Sequence, residues 1–549
     1  MTGLSKKIGF RLIKGKVMFG VDEIIENWNV RIKKKDIQLF LFLFSVGLIT
    51  YSSMIIYELP NPDAIWNGLY YKESWVWECS LGRYMIRIFQ ALFGNIINPP
   101  SYTILCIALL SLICIIIKNL YEIRGIAAVL IGIMIILSPA TASTLSYYYC
   151  SLYYIFAYLL AVIVAWIMCK GYGLGYSIVG MLLLCISLAT YQAYIGVVLV
   201  LGVMFIIFRS IDNDTSVKII LNRIVYMFVI LLGGITSYLV SCKVIQNIWS
   251  VVPENARGFA EMGNIPLEKV SSLLKNCYIY TYQYFFSNEM INNEYGFKDK
   301  LNLLVFFIIA VIFTKKIIKI GADSYRRGIA LLSFGILPIA LMSMTIAASN
   351  VSIYESTGVI MLPTMNYMYV FLLCLVYKER KEDKISFCMN WSGVLVSIVL
   401  AFSAFTFCMS IQTYHKYSMN RMNFLATGIV QQIEEQIENS EDYRICFIGQ
   451  AEKGNYPELY PELLNRLHWV TASQGTVWED FLGTQECWRM YIRQYTGKHY
   501  KICGNEEYEE IIQSDFFKTM NSYPDDNSVA VYNESVVVIK LSEWDSWRK

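Results

Sequence analysis

A long succession of apolar segments is the feature of this sequence that most limits its fold. Of the 549 residues, 56% are hydrophobic and only 16% are charged, whereas ordinary globular domains are about 25% charged. A helix needs about 20 mostly apolar residues to cross the bilayer core. Eleven segments reach or approach that length, at 37–57, 101–117, 124–140, 147–168, 174–189, 191–208, 222–243, 301–320, 327–347, 357–377 and 391–411. The sequence therefore predicts an all-α polytopic membrane bundle with about eleven transmembrane helices.

The basic residues predict how this bundle is oriented. Lysine and arginine concentrate in the cytoplasmic loops of membrane proteins. The segment 1–36 carries nine of them, and every second loop after it is also basic. The intervening short loops "TASTLS", "TYQ" and "SNVSIYES" contain none. We therefore expect an integral, multi-pass protein of the cell (inner or cytoplasmic) membrane, with a cytoplasmic N-terminus and outer loops at 58–100 and 244–300.

One short apolar segment, at 84–97, bears on this orientation. It has 14 residues and contains Arg87. If it crossed the membrane, every later basic loop would lie outside. A short amphipathic run more often lies in the interface, so we predict a surface helix on the outer side.

Three units follow from these patterns: a cytoplasmic basic segment at 1–36, a transmembrane domain at 37–411 and a tail at 412–549. The tail contains 21 acidic and 13 basic residues, which leaves the rest of the chain with a net charge of about +11. It contains a strand-like run "RICFI" and a second run, "VAVYNESVVVIKLSE", that predicts two strands around a turn. We expect the tail to form an extracytoplasmic α/β domain.

The sequence contains no pattern for a metal or nucleotide site. Most of the fourteen cysteines lie in apolar runs, and the three histidines are dispersed, so no zinc-type spacing occurs. There is no glycine-rich phosphate loop. We expect no bound metal, no required cofactor and no nucleic-acid partner.

The outer loop 58–100 contains the residues best suited to chemistry. Asp63 follows Pro62, which fixes the backbone just before it, and a carboxylate in this place can remove a proton from a hydroxyl group. The alternative is that Asp63 is a solvated residue on the surface of the loop. A second carboxylate would come from one of three residues whose spacing does not distinguish them, Glu58, Glu73 and Glu78.

Arg83 and Arg87 lie four residues apart in the same loop. On a helix that begins near Gly82, they would share one face. Two guanidinium groups suit a phosphate or diphosphate, because their planar forks bind its oxygens in pairs. The alternative is that both side chains reach toward lipid headgroups.

Several aromatic and polar residues are further candidates for a substrate cavity. Trp66 could stack on a sugar, although tryptophan is also common at membrane interfaces. Tyr191 and Gln192 lie at the predicted hairpin tip "TYQAYIG", where they would line a cavity or turn the chain. The tyrosine-rich run at 145–158 is interpreted as an interfacial and packing stripe.

Taken together, these motifs make the chain resemble the type II O-antigen glucosyltransferases, bacterial polytopic enzymes of the GT-C class. The resemblance rests on the early loop aspartate, Asp63, and on "GRY" at 82–84, "SPATAST" at 138–144, "TYQAYIG" at 190–196 and "RICFIG" at 444–449. It implies a GT-C-like bundle in which the loop aspartate acts as a base.

The resemblance also implies a function. The enzyme would transfer a hexose, with glucose favoured, from a polyprenyl-phosphate donor to a cell-surface polysaccharide or teichoic acid. Its partners would be membrane lipid and a surface glycan, with a flippase and a prenyl-phosphate sugar synthase acting upstream. Two alternatives are a lipid-linked sugar flippase or transporter and a polysaccharide polymerase. A transporter would favour ionisable residues inside the spans, and almost none occur there.

Overall fold

The computed structural model describes most of the chain after its first 33 residues. The described residues are 34–72, 75–212, 215–254, 267–287, 298–320, 323–347, 358–379, 384–437, 443–450, 482 and 484–543. Nearly all of the predicted basic segment 1–36 lies outside these ranges, and so do Glu73 and parts of the loop 244–300.

The first part of the chain is helical. Its helices are α1 (Lys34–Thr50), α2 (Ser52–Tyr57), α3 (Asp63–Trp66), α4 (Val76–Ser80), α5 (Met85–Leu92), α6 (Pro99–Leu120), α7 (Gly125–Ile136), α8 (Pro139–Ser146), α9 (Ser151–Lys170), α10 (Leu174–Thr190) and α11 (Ile195–Ile211). A single 3-10 turn, Gln192–Tyr194, joins α10 to α11, so the chain reverses where the sequence predicted a hairpin tip.

The second part adds longer helices and then strands. Its elements are α12 (Val217–Ile248), α13 (Leu267–Phe286), α14 (Lys298–Lys319), α15 (Ser324–Leu341), α16 (Ser343–Ala347), α17 (Tyr367–Lys378), α18 (Lys384–Gln436), β1 (Arg444–Ile448), α19 (Gln485–Thr496), β2 (Lys501–Ile502), α20 (Asn505–Gln513), α21 (Asp515–Thr519), β3 (Val529–Tyr532) and β4 (Val536–Lys540).

The described helices support a polytopic membrane protein but not the predicted number of spans. Six of them are long and apolar enough to cross a membrane, namely α6, α9, α12, α14, α18, and α11 together with the 3-10 turn before it (Gln192–Ile211, 20 residues). The bent pair of α7 and α8 would make a seventh. Helices α10 and α17 are apolar but have only 17 and 12 residues. The prediction of eleven spans is therefore not confirmed.

The bend between α7 and α8 shows why counting apolar residues overestimates continuous helices. The two helices meet at 44°, inside the run that the sequence predicted as one span over 124–140. The Ser138 hydroxyl accepts a hydrogen bond from the Thr141 amide at 3.1 Å, and Pro139 is the first residue of α8. A serine cap followed by proline starts a new helix, so the local polar geometry divides an apolar segment.

Helix α18 joins the bundle to the tail without a break. Its 53 residues run through the domain boundary that the sequence predicted between residues 411 and 412. At that point the buried Gln412 side chain donates to the Thr50 carbonyl at 2.7 Å and accepts from the Met54 amide at 3.2 Å. These bonds attach α18 to the junction of α1 and α2, so the start of the tail is fixed by the bundle.

The tail contains a four-stranded mixed sheet in the order β2-β1-β4-β3. Strand β1 is parallel to both β2 and β4, whereas β3 and β4 are antiparallel. The predicted strand at "RICFI" and the predicted strand pair are both found. Asn533 and Glu534, in the turn between β3 and β4, have φ values of 46° and 57°, the left-handed backbone of a tight hairpin turn.

Gly449, directly after β1, offers a test of this packing. Its φ is +87°, and an added Cβ would lie 2.5 Å from the Ser542 backbone nitrogen. We expect Gly449→Ala to lower the free energy of unfolding by about 1–3 kcal/mol, because it combines left-handed strain with a backbone clash. Thermal unfolding of the purified full chain would measure the loss.

Gly504→Ala is the matched control for this substitution. Gly504 has an ordinary φ of −74°, and an added Cβ would meet no atom within 4 Å. Because Gly504 is the N-cap of α20, Gly504→Ala should cost less than about 1 kcal/mol, so its unfolding temperature should fall less than that of Gly449→Ala. Equal unfolding temperatures for the two variants would contradict the assigned packing.

Candidate active site

The loop between α2 and α6 folds against the helix ends rather than extending away from them. The Lys72 amide donates to the Asn95 carbonyl at 3.0 Å, which joins an inner part of the loop to its last residues. Gln246, on α12, donates from Nε2 to the Cys79 carbonyl at 2.9 Å. Helix α5 has eight residues and rises about 12 Å. That is too short to cross a bilayer, in line with the surface helix predicted within 84–97.

This loop and the adjacent helices enclose a cavity of about 340 Å³. Its volume falls within the range of small-molecule sites. The cavity combines two carboxylates and one guanidinium group with six aromatic rings. Its lining residues are Asp63, Trp66, Asn67, Trp77, Glu78, Arg83, Tyr147, Tyr149, Tyr154, Tyr191 and Ile360.

Asp63 reaches the cavity from the first position of α3. Pro62 precedes it, and α3 contains only the four residues Asp63–Trp66. The Asn67 side chain closes this turn by donating from Nδ2 to the Asp63 carbonyl at 2.9 Å. The half-buried Asp63 side chain therefore lies at a fixed point of the cavity wall.

Glu78 is the second carboxylate in the cavity, and it is held by a cation that sequence reasoning missed. Lys72 Nζ lies 2.6 Å from Glu78 Oε1, and the side chains of both residues are at most 4% exposed. Lys72 also donates to Asn67 Oδ1 and lies 4.9 Å from the centroid of the Tyr149 ring. The ammonium group thereby joins three lining residues.

Of the other two candidates for a second carboxylate, Glu58 does not line the cavity. Glu58 accepts a hydrogen bond from the Tyr70 hydroxyl at 2.8 Å. Burial and this bond raise the pKa of Tyr70 to about 12. Glu73 lies outside the described residues. Among the described candidates, the fold thus pairs Asp63 with Glu78.

Arg83 is oriented by partners that come from distant parts of the chain. Its Nε donates to Gln192 Oε1 at 3.1 Å, and its Nη1 donates to the Tyr154 hydroxyl at 3.0 Å. The Tyr191 ring lies 5.0 Å from the guanidinium carbon and stacks on Tyr154 at 4.2 Å. Among the described residues, no acceptor binds the Arg83 Nη2, which leaves that edge of the fork for an anion.

Gln192 has a different place from the one predicted for it. It does not belong to the cavity wall. Its Nε2 donates to the Leu81 carbonyl at 2.7 Å and to the Tyr238 hydroxyl at 2.9 Å. It therefore supports Arg83 from behind, whereas Tyr191 and Trp66 line the cavity as the sequence predicted.

Arg87 does not join Arg83 in the cavity. Its guanidinium carbon lies 3.4 Å from the centroid of the Trp75 ring and 4.0 Å from that of Trp249. Helix α5 begins at Met85, after Arg83, so the predicted common helical face does not exist. The contact with two indoles instead attaches α5 to the end of α12 through cation–π attraction.

Two residues that line the cavity, Tyr149 and Tyr154, had been assigned a different role from the sequence. Tyr149 and Tyr154 belong to the run at 145–158 that was interpreted as a packing stripe, and both line the cavity. The interruption of that run at Cys150 and Ser151, where α9 begins, was the available local sign. Lys72 gave no sign, because a spacing of six residues in a loop does not indicate that it contacts Glu78.

The arrangement supports acid–base and anion-binding chemistry on a molecule with an apolar face. A carboxylate can accept a proton, and a guanidinium group can bind phosphate oxygens. Among the described residues, no group of three or more His, Cys, Asp or Glu side chains converges as a metal site would require.

Long apolar helices and a polar, aromatic-walled cavity at their ends define a helical membrane protein with a small-molecule site. A family model described as "Glucosyl transferase GtrII" matches residues 52–377, more than half of the chain. The chain belongs to this glucosyl transferase family, which confirms the resemblance to the type II O-antigen glucosyltransferases. Membership indicates glucosyl transfer, and the matched region includes the whole cavity wall.

Neither a curated protein nor a solved structure matches the chain.

The buried ion pair gives a stability prediction. Lys72→Met should lower the free energy of unfolding by about 3–5 kcal/mol, because it leaves the Glu78 carboxylate buried without its cation. Lys170→Met is the control, since its partner Glu122 is 73% exposed and an exposed pair contributes at most about 1 kcal/mol. Unfolding midpoints of the two purified variants would be compared. A similar, small shift in both would contradict the assigned pairing.

Proposed function

We propose that this protein is a membrane glucosyltransferase that moves a hexose, glucose, from a polyprenyl-phosphate donor to a surface glycan. The observation that carries the proposal is that Asp63 and Arg83 line one cavity beside aromatic rings, in a chain of the glucosyl transferase family. The acceptor is a cell-surface polysaccharide or teichoic acid. The reaction takes place on the outer face, with the N-terminus in the cytoplasm and the tail outside.

In the proposed reaction, each charged group of the cavity has a separate task. Asp63 removes the proton of an acceptor hydroxyl, and that oxygen forms a bond with C1 of the donor sugar. The bond between C1 and the phosphate oxygen breaks, and the electron pair leaves with the polyprenyl phosphate. Arg83 stabilises the leaving phosphate through its unused Nη2 edge, where charge increases during the step.

Glu78 has a binding task in this proposal. Its Oε1 is held by Lys72, and its buried Oε2 accepts no hydrogen bond from the described residues. A buried carboxylate oxygen without a donor is costly. A sugar hydroxyl in the cavity can supply that donor, while the rings of Trp66, Trp77 and Tyr149 cover the apolar face of the sugar.

The donor has consequences for the partners. A polyprenyl-phosphate sugar is made on the cytoplasmic side, so a synthase and a flippase must act before this enzyme. A flippase or transporter remains the alternative from another class, and a polymerase is the alternative with the same partners. The positions of Asp63 and Glu78 favour an enzyme over a transporter. Both carboxylates lie at one end of the helices, whereas a transport path would place ionisable residues along the helices.

Asp63→Asn tests the proposed base. We expect the turnover of a purified polyprenyl-phosphate hexose to fall about 10²–10⁴-fold, because a carboxamide cannot accept the proton. Glu58→Gln is the control and should leave turnover unchanged, since Glu58 lies outside the cavity wall. Release of polyprenyl phosphate in nanodiscs would be measured. Unchanged turnover in Asp63→Asn would contradict the mechanism, and translocation of intact donor without release would support the flippase.

A second comparison separates the two arginines. Arg83→Gln should lower kcat about 10²–10³-fold, because it removes the cation that faces the leaving phosphate. Arg87→Gln should lower the unfolding temperature but leave kcat per folded molecule nearly unchanged, since its guanidinium group lies between Trp75 and Trp249. The reverse result would assign the phosphate to Arg87.

A further inference from the structure

The helix that carries Asp63 cannot fix its own direction. Helix α3 is a single turn of four residues, and its N-cap residue, Pro62, supplies no side-chain hydrogen bond. The nucleation of one turn is unfavourable in isolation. The direction of the Asp63 side chain therefore depends on what the rest of α3 packs against.

Residues of this turn belong to two separate hydrophobic cores. Ala64 is fully buried in the core of the membrane helices. Ile65 is 7% exposed and belongs to a different core, formed by α18, the tail sheet and α19. In that core it joins Trp488, Tyr491 and Ile492 of α19, which are all fully buried. Of the two residues that follow Asp63, Ala64 therefore packs in the bundle and Ile65 packs in the tail.

Helix α19 is itself attached to α18. The Tyr491 hydroxyl donates to Asn423 Oδ1 at 2.8 Å. Past the end of α19, Lys498 and the Tyr500 hydroxyl both bind the Glu434 carboxylate, at 2.6 and 2.8 Å. Because α18 is continuous with the bundle, the tail has a fixed position above α3.

We propose that helix α19 of the tail positions the catalytic carboxylate, with Ile65 as the positioning residue through which it acts. This inference rests on the proposed function of Asp63. It gives the tail a task in sugar transfer that does not require it to touch the substrate. Withdrawal of the tail leaves α3 supported on one side only, so the base loses its alignment with the acceptor hydroxyl.

Ile65→Ala tests the proposal without changing any group of the cavity wall. Small displacements of reacting groups cost up to about 10²-fold in rate. We expect kcat of the full chain with a polyprenyl-phosphate hexose to fall about 10- to 100-fold, and donor KM to change less than about twofold. Ile65→Val should recover most of the kcat, since it refills most of the same space.

Ile539→Ala is the matched control. Ile539 lies on β4 in the same core and is fully buried, so its truncation should lower the unfolding temperature as Ile65→Ala does. Its kcat per folded molecule should stay at the level of the unsubstituted enzyme. Equal losses of kcat in both alanine variants would overturn the proposal, because the tail would then only stabilise the fold. Unchanged kcat in Ile65→Ala would overturn it as well.

Two further results keep the outcome interpretable. If Ile65→Ala does not fold, Tyr491→Phe removes the hydroxyl group that bonds α19 to Asn423 and to the Met419 carbonyl of α18. It should lower kcat about two- to tenfold with unchanged donor KM. Unchanged kcat in that variant would then overturn the proposal. Full activity of Asp63→Asn would instead refute the proposed function, so the two failures are distinguishable.

Discussion

The buried ion pair between Lys72 and Glu78 is the interaction on which the cavity depends. Both side chains are almost fully shielded from solvent, and neither charge can be buried at moderate cost without the other. The pair also holds Asn67, whose side chain closes the turn that begins at Asp63. One ammonium group thus links the turn that carries Asp63 to Glu78, the other carboxylate of the cavity.

A second set of contacts connects this loop to the membrane helices. Gln192, in the 3-10 turn between α10 and α11, donates to the loop at Leu81 and accepts from Arg83. Tyr154, at the start of α9, binds the same guanidinium group. Because Nε and Nη1 of Arg83 both donate to protein acceptors, the guanidinium group is held in one orientation at the cavity. The packing of the helices thereby orients this cation before any substrate binds, which is the arrangement that the proposed stabilisation of a leaving phosphate requires.

Some elements were predictable because their causes are local in sequence. The strand at "RICFI" and the pair around Asn533 followed from alternation and turn residues, and the reversal at Gln192 followed from a polar break in an apolar run. The segment predicted as one continuous span over 124–140 is instead a bent pair of helices. The cap at Ser138 and the ring of Pro139 interrupt the helix there, although all residues from 125 to 137 before them are apolar.

The candidate site was predictable only in part. Asp63, Arg83, Trp66 and Tyr191 were identified, since a charged or aromatic residue at the edge of an apolar segment is conspicuous. The choice among Glu58, Glu73 and Glu78, and the separation of Arg87 from Arg83, depended on where α5 begins and on which side chain meets Lys72. No spacing rule contains that information.

By itself, the sequence determined a helical membrane protein of a glucosyl transferase family with an aspartate- and arginine-bearing loop, because hydropathy and short motifs act over neighbouring residues. Only the tertiary structure decided which residues share the cavity and that Ile65 belongs to the core of the tail. Those outcomes come from contacts between segments that are distant in sequence, such as Arg83 with Gln192 and α3 with α19. Such contacts exist only after the helices have packed.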